Sequence, residues 1–287
     1  MKLNISMVLY QNNLEEVKKC IECCLNNNFV GNLYLIDNSK DNNLSILAKL
    51  NDQIKYIFNN SNYGYGKAHN IAIKESIEKE MDYHLIINPD IYFGEEVLKT
   101  LYEFMEKNKD IGVVMPKILY PDKKIQYLCK LLPTPYDLFL RRFSPFKKIN
   151  EKVNEKYELK FTHYAQLMEI PVISGCFMFI RTSILKEIGG FDERFFMYLE
   201  DVDLCRRINQ KARIVYFPKV EIIHNYEKGS YKNTRLLLYH VISAYKYFNK
   251  WGWFLDNERK IINKKTIYLL QNKIDEIGID NFSIPNF

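Results

Sequence analysis

The chain has no uncharged run of the eighteen or more apolar residues that a membrane-crossing helix needs. Its nearest approach, Ile170 to Ile180, is short and holds Pro171 and Gly175. Met1 leads straight into KLNISMVLY without the charged, apolar and small-residue order of a secretory leader, so the expectation is a cytoplasmic protein. No internal repeat and no low-complexity tract is found. Only six cysteines occur in 287 residues, at 20, 23, 24, 129, 176 and 205. Cys20 and Cys23 have CxxC spacing, but no second Cys or His pair lies near enough in sequence to complete a zinc site, and the segment EEVKKCIECCLNNN reads as a helix. The cysteines are therefore expected to be packed thiols.

What is present is an ordinary globular composition, 47% hydrophobic and 26% charged, with enough length for a sizeable core. The net charge of +6 is unevenly spread. Residues 123–160 hold ten Lys/Arg against four Asp/Glu, and residues 228–265 hold nine against two, which leaves the remainder at −7. Such concentrated basic charge implies an anionic partner or surface. Nucleic acid is a poor candidate, because the basic segments carry no recognition motif and the expected cleft is acidic.

Strands are read at Leu3–Tyr10, Asn32–Ile36, Ile54–Phe58, Tyr83–Ile87 and Ile111–Leu119, with helices at Leu14–Asn26, from Lys67 or Ala68 onward, and at Glu95–Asn108. Alternation of this kind makes βαβ units and a parallel sheet, whose ligands bind at the carboxyl ends of the strands. Asp37 falls at such an end, and so do Asn88 and Asp90 of the Asn88-Pro89-Asp90 turn. Turn formation alone accounts for these residue types; a nucleotide contact at Asp37 and a hard cation held against a diphosphate at Asn88 and Asp90 are the functional alternatives. Gly64 and Gly66 precede a helix whose N-terminus suits a diphosphate, with Asn62, Lys67 and Asn70 nearby, although the third glycine of a dinucleotide fingerprint is absent.

From residue 123 to about 166 the pattern dissolves into prolines, aromatics and basic residues, and this stretch is expected to be a mobile basic segment on the acceptor side. Ile170–Arg181 reads as a buried strand interrupted at Ser174-Gly175, Thr182–Ile188 as a helix, and Arg213–Phe217 and Val220–His224 as two further strands. Between them lies GGFDERFFMYLEDVDLCRR, residues 189–207, which sets Glu200, Asp201 and Asp203 beside bulky apolar side chains. Carboxylates there must be paired, hydrogen-bonded, metal-bound or protonated, and enzymes tune a general base in such surroundings. A helix N-terminus with Asp203 paired to Arg207 is the simpler account of the same residues.

Taken in order, Ile36-Asp37-Asn38-Ser39, Asn62-Tyr63-Gly64-Tyr65-Gly66 with Asn70, Leu85 to Asp90, Ser174-Gly175-Cys176, Gly189 to Glu193, Glu200 to Asp203 with Arg206, and His224 with Ser230 resemble the family 2 glycosyltransferases, and among them the rhamnosyltransferase-like branch. The resemblance covers roughly residues 3 to 230 and implies an α/β fold of the GT-A kind, a Rossmann-like mixed sheet flanked by helices, with a C-terminal helical extension over 231–287. It also implies an inverting transferase that uses a nucleotide-diphosphate sugar. In the family's pattern Asp37 and Asn38 meet the nucleotide, Asn62, Gly64, Gly66, Lys67, Asn70 and Gly175 surround the donor, and Asn88, Asp90 and His224 hold a divalent cation, Mg or Mn, on the diphosphate. Asp201 is then the general base, with Glu200 as its orienter or second acid. Asn88 departs from the two aspartates of a DxD element.

The resemblance further implies rhamnose from a thymidine-diphosphate donor, moved to a glycan or lipid-linked acceptor in bacterial surface polysaccharide synthesis. Galactofuranose, glucose or N-acetylhexosamine donors, a nucleotidyltransferase and a non-catalytic nucleotide-sugar-binding module are the competing readings. Leu237, Val241, Ala244 or Tyr245, and Phe248 recur at helical spacing ahead of Trp251 and Trp253, with Lys246, Lys250 and Arg259 nearby. That helix is expected to pack on its own protein, to form a homodimer, or to attach peripherally to an anionic membrane face.

Overall fold

The computed structural model describes residues 2–140, 147–226 and 234–276. In chain order the elements are β1 (Leu3–Leu9), α1 (Leu14–Leu25), β2 (Val30–Asp37), β3 (Ile54–Phe58), α2 (Tyr65–Glu78), β4 (Tyr83–Ile87), β5 (Ile91–Tyr92), α3 (Glu96–Lys107) and β6 (Ile111–Leu119). They continue with α4 (Lys147–Tyr157), β7 (Met168–Glu169), β8 (Phe177–Arg181), α5 (Thr182–Ile188), α6 (Glu200–Asn209), β9 (Arg213–His224), α7 (Thr234–Trp251) and α8 (Asn257–Glu276). Among the described residues nine strands form one mixed sheet in the order β3-β2-β1-β4-β8-β6-β9-β5, with β7 on β9. It is a mixed α/β architecture with a C-terminal helical extension, in keeping with a GT-A-like fold.

The four strands β3, β2, β1 and β4 are parallel, and Leu9, Asp37 and Phe58 stand side by side at one edge. β8 runs antiparallel to β4 and starts at that same edge, Phe177 beside Ile87, so the Gly175-Cys176 turn meets Asn88. There the Asn88 N–H donates to the Cys176 carbonyl at 2.9 Å. β9 returns His224 to the edge opposite Ile91, next to Asp90. Residues from four distant stretches thereby reach one rim.

Local chemistry explains most elements. Asn13 caps α1 by accepting from the N–H groups of Glu15 and Glu16. Val17, Cys20, Ile21 and Cys24 form its buried stripe, so the CxxC spacing is helix packing, and the cysteines are free. Burial raises the Cys20 thiol well above its ordinary range, which keeps it inert.

Three features depart from the sequence reading. The two expected strands after Arg213 are one strand, because β9 absorbs Pro218 in a register shift between the Pro116 and Lys117 pairings with β6. Ile170–Arg181 is a strand only from Phe177, although Ile170, Val172 and Ile173 are buried without ladder periodicity. Within 123–166 there is more regular structure than the pattern signals: α4 forms, and Leu131, Leu132, Tyr157, Leu159 and Tyr164 are buried. Leu132 and Asn263 exchange two hydrogen bonds of 2.9 and 2.8 Å, tying this segment to α8. Loops that pack one side chain at a time leave no period to read.

α7 also corrects the expectation of a Trp and Lys headgroup face. Its Ala244, Tyr247 and Phe248 are buried, each large ring contributing about 1.5–3 kcal/mol of burial. Lys246 donates to the Arg194 carbonyl at 2.6 Å, and Lys250 sits 2.8 Å from Asp192 and 2.6 Å from Asp203. The Trp251 indole N–H donates to Asp203 at 2.8 Å, and Arg259 is buried, donating to the Trp253 carbonyl at 2.8 Å. Most of the aromatic and basic groups named for lipid thus have partners on the chain itself, while Tyr245 stays exposed.

Candidate active site

A cavity of about 430 Å³ opens at the rim, lined by Tyr10, Asn38, Asn62, Gly64, Tyr65, Asn88, Asp90, Met197 and Tyr226 among others. Its floor begins with Asp37, which is fully buried and does not line it. The Tyr56 hydroxyl donates to one Asp37 oxygen at 2.6 Å and the Ser39 N–H to the other at 2.8 Å. Asn38 is the neighbour that reaches the cavity, its amide donating to the Gly64 carbonyl at 3.2 Å.

Gly64 has φ +80°, and a Cβ there would lie 2.2 Å from the Phe196 carbonyl oxygen, so only glycine fits. The turn is not an open anion cradle. Its Gly64 N–H donates to Asn62 Oδ1 at 2.9 Å and its Tyr65 N–H to the Phe196 carbonyl at 2.9 Å. Gly66 is buried against Phe191. Asn70 faces inward, donating to the Phe191 carbonyl at 2.9 Å and accepting from the Phe191 N–H at 2.8 Å. Lys67 is half-exposed, 3.8 Å from Glu193. Of the residues expected at the site, Asn38, Asn62, Gly64, Asn88 and Asp90 line the cavity, while Asp37, Gly66, Lys67, Asn70, Gly175, Glu200, Asp201 and His224 lie behind or beside its wall.

Asn88, Asp90 and His224 do converge. His224 Nε2 lies 3.3 Å from Asp90 Oδ1 and 3.5 Å from the Asn88 carboxamide. Gln126 sets the ring: its Nε2 donates to the carbonyls of His224 and Leu119, so its Oε1 is left to accept from His224 Nδ1 at 2.9 Å. That leaves Nε2 as a lone pair facing a carboxylate oxygen, an arrangement that needs a positive centre between them. Without a metal the centre is a proton: burial opposes it, but the Cys176 thiol and Asp90 outweigh burial and lift His224 to about 10. Among the described residues no three His, Cys, Asp or Glu side chains gather to hold a metal by themselves. Ser230 lies outside the described residues.

At the other wall, Tyr198 and Leu199 both adopt left-handed backbone, φ 69° and 63°, immediately before α6. Two such residues in succession store roughly 1–3 kcal/mol each, as do His163 and Tyr164 elsewhere in the chain. The turn delivers Glu200 and Asp201. Asp201 accepts from the Val202 N–H at 2.8 Å and the Gly175 N–H at 3.0 Å, which fixes its carboxylate without masking it. Glycine at 175 eases this approach, since a Cβ would meet Asp201 Cβ at 3.2 Å and the neighbour would have to give by a few tenths of an ångström. Glu200 is buried with one oxygen unpartnered, and burial together with the Asp201 charge raises its pKa well above the carboxylate range. It is a carboxyl pushed toward its protonated form beside an anchored carboxylate.

One residue joins the two walls. The Tyr65 hydroxyl lies 2.7 Å from the Gly175 carbonyl oxygen and 3.1 Å from Asn88 Oδ1. Neither Tyr65 nor Gln126 stands out in the sequence: Tyr65 reads as filler between two glycines, and Gln126 sits in a stretch without pattern.

The model of glycosyl transferase family 2 matches residues 5–189, the span that holds the sheet edge and most of the cavity. The chain belongs to glycosyl transferase family 2. It is 26% identical over 198 residues, 68% of this chain and 59% of the relative, to a low-salt glycan biosynthesis hexosyltransferase of Haloferax volcanii. To an N-acetylglucosaminyl-diphospho-decaprenol L-rhamnosyltransferase of Mycobacterium tuberculosis it is 28% identical over 177 residues, 58% of this chain and 56% of the relative. It thus spans somewhat over half the length of these family relatives. A mannosyltransferase of Pyrobaculum calidifontis, solved with GDP-Man and Mn2+, superposes with a TM-score of 0.55 over 99% of this chain and 76% of the other at 13% identity, a likeness of fold alone.

Proposed function

We propose that this family member is an inverting glycosyltransferase that moves a sugar from a nucleoside diphosphate to a hydroxyl of a glycan or lipid-linked acceptor. The observation that carries the reading is the chain of contacts Asp201–Gly175–Tyr65–Asn88, which ties an anchored carboxylate to the cavity residues Tyr65 and Asn88, beside the Asp90–His224 pair. Asp201 takes the proton of the acceptor hydroxyl as that oxygen attacks the anomeric carbon, and the diphosphate leaves from the opposite face. Asp90, His224 and Asn88 would hold Mg or Mn, with the donor's phosphates supplying the remaining oxygens. When bound, the ion neutralises the charge that develops on the diphosphate. Neutral Glu200 adds no repulsion to Asp201 and keeps the pair at a single negative charge.

Rhamnose as the sugar is supported by the names of the relatives in Mycobacterium tuberculosis and Escherichia coli, the latter a rhamnosyltransferase 26% identical over 64% of this chain. The hexosyltransferase of Haloferax volcanii favours a second reading, a hexose donor in the same cavity. Work at an anionic membrane face is supported by Phe254 and Leu255, 72% and 92% exposed, and by exposed Ile261 and Tyr268, among Lys260, Lys264 and Lys265. No acidic residue occurs from 259 to 274.

A thermal-shift screen across nucleotide sugars, with and without Mn2+ or Mg2+, tests the function. A ligand at about a hundred times its Kd stabilises the fold by about 2.7 kcal/mol. The expected result is a metal-dependent rise with thymidine-diphosphate rhamnose above that with hexose donors. No rise with any nucleotide sugar contradicts a donor site.

A further inference from the structure

We infer that Tyr65 is a positioning residue that fixes which end of the Asn88 carboxamide faces the cation site, and this rests on the donor-site reading above. A tyrosine hydroxyl carries one hydrogen. Here it has two oxygens within reach, the Gly175 carbonyl at 2.7 Å and Asn88 Oδ1 at 3.1 Å, and it cannot donate to both. The shorter contact takes the hydrogen, which leaves a Tyr65 lone pair against an Asn88 oxygen that has only lone pairs. The two ends of a carboxamide are told apart by their hydrogen bonds. Turning the amide over removes the conflict: its N–H donates to Tyr65 Oη, and Oδ1 takes the place beside His224 Nε2, 3.5 Å away.

The same turn improves the other side. With Gln126 holding the Nδ1 hydrogen, His224 Nε2 would give its lone pair to a bound cation, which Asp90 Oδ1, 3.3 Å from Nε2, would share. The turned Asn88 adds a third electron-pair donor facing the same point. Tyr65 thereby makes an asparagine serve where a second aspartate would be expected. An aspartate at 88 has no hydrogen to offer Tyr65, so it keeps the contact only by drawing the phenol hydrogen away from the Gly175 carbonyl. The added negative charge is then opposed by the loss of the Tyr65 contact with Gly175.

The test is Mn2+ binding to the whole chain, read as free Mn2+ by electron paramagnetic resonance with thymidine or uridine diphosphate present, in wild type, Asn88→Asp, Tyr65→Phe and the double variant. Thermal melts confirm that each is folded. Wild type binds Mn2+ with diphosphate; Tyr65→Phe, which unlatches the amide, weakens it about tenfold, the scale of one lost hydrogen bond. Asn88→Asp binds no tighter than wild type, while in the Tyr65→Phe background the same change tightens binding. Tyr65→Phe within twofold of wild type, or Asn88→Asp tightening binding equally in both backgrounds, overturns the inference and leaves the donor site standing. Wild type that binds neither diphosphate nor Mn2+ overturns the donor site and this inference together.

Discussion

The two faces of α6 carry aspartates two residues apart and use them in opposite ways. Asp201, joined to the cavity residue Tyr65 through Gly175, is held by two backbone N–H groups. Asp203 is fully buried and surrounded by Arg207 at 2.9 Å, Lys250 at 2.6 Å and the Trp251 indole at 2.8 Å. One turn on, buried Arg206 grips Asp256 through two bonds of 2.7 and 2.8 Å and stacks on Trp251, its guanidinium carbon 4.3 Å from the ring centroid. The face with Asp203 and Arg206 anchors the C-terminal helices, and those helices in turn hold the loop ahead of Asp201, Ser243 donating to the Met197 carbonyl at 2.8 Å. The proposed base is the less matched charge, and the charge matched threefold is a rivet.

Substitution on each face separates the two roles. Asp201→Asn is expected to lower turnover by about a hundredfold or more with donor affinity unchanged, checked by calorimetry beside a transfer assay. Near wild-type turnover would make Asp201 structural. Arg206→Leu breaks the buried pair and leaves Asp256 only the longer 3.7 Å contact with the Arg259 guanidinium and the Arg259 N–H, so denaturant melts should show a loss of about 3 kcal/mol, the low end for a broken buried pair.

Glu200→Gln sharpens the contrast within the catalytic face. A carboxyl whose folded pKa is raised favours folding fully below its unfolded pKa of about 4.3 and loses that contribution as pH rises toward the folded value. Wild type should therefore lose stability relative to Glu200→Gln as pH climbs from about 4.5, and at neutral pH the variant should keep activity within a few-fold. A large loss of activity would show Glu200 acting as an ion. The smallest effect is expected in the turn between α7 and α8: Leu255→Asp should reduce flotation with anionic liposomes at low salt without altering thermal stability by more than about 0.5 kcal/mol.

Much of the catalytic half was legible in the sequence, because strands and turns there obey local rules. β3, β4, β6 and α5 carry the boundaries that their hydrophobic runs and flanking turn residues indicate. Asp203 paired with Arg207 follows from helical spacing, and Asn88, Asp90 and His224 meet as their places at strand ends suggest. What stayed hidden depends on contacts far apart in sequence. Whether Asp37 or Asn38 reaches the cavity turns on Tyr56, and Asn70 is drawn inward by Phe191. The inward turn of Lys250 and Arg259 is set by carboxylate and carbonyl partners from other segments, which amphipathic periodicity does not reveal.

The central claim is a single displacement at the anomeric carbon with one anchored carboxylate as base. It is tested most directly by the anomeric configuration of the first product formed from a donor of known configuration, read by NMR before any mutarotation. The account predicts inversion, lost in rate but not in stereochemistry when Asp201 is replaced. Retention of configuration would require a second nucleophile on the sugar and would contradict it.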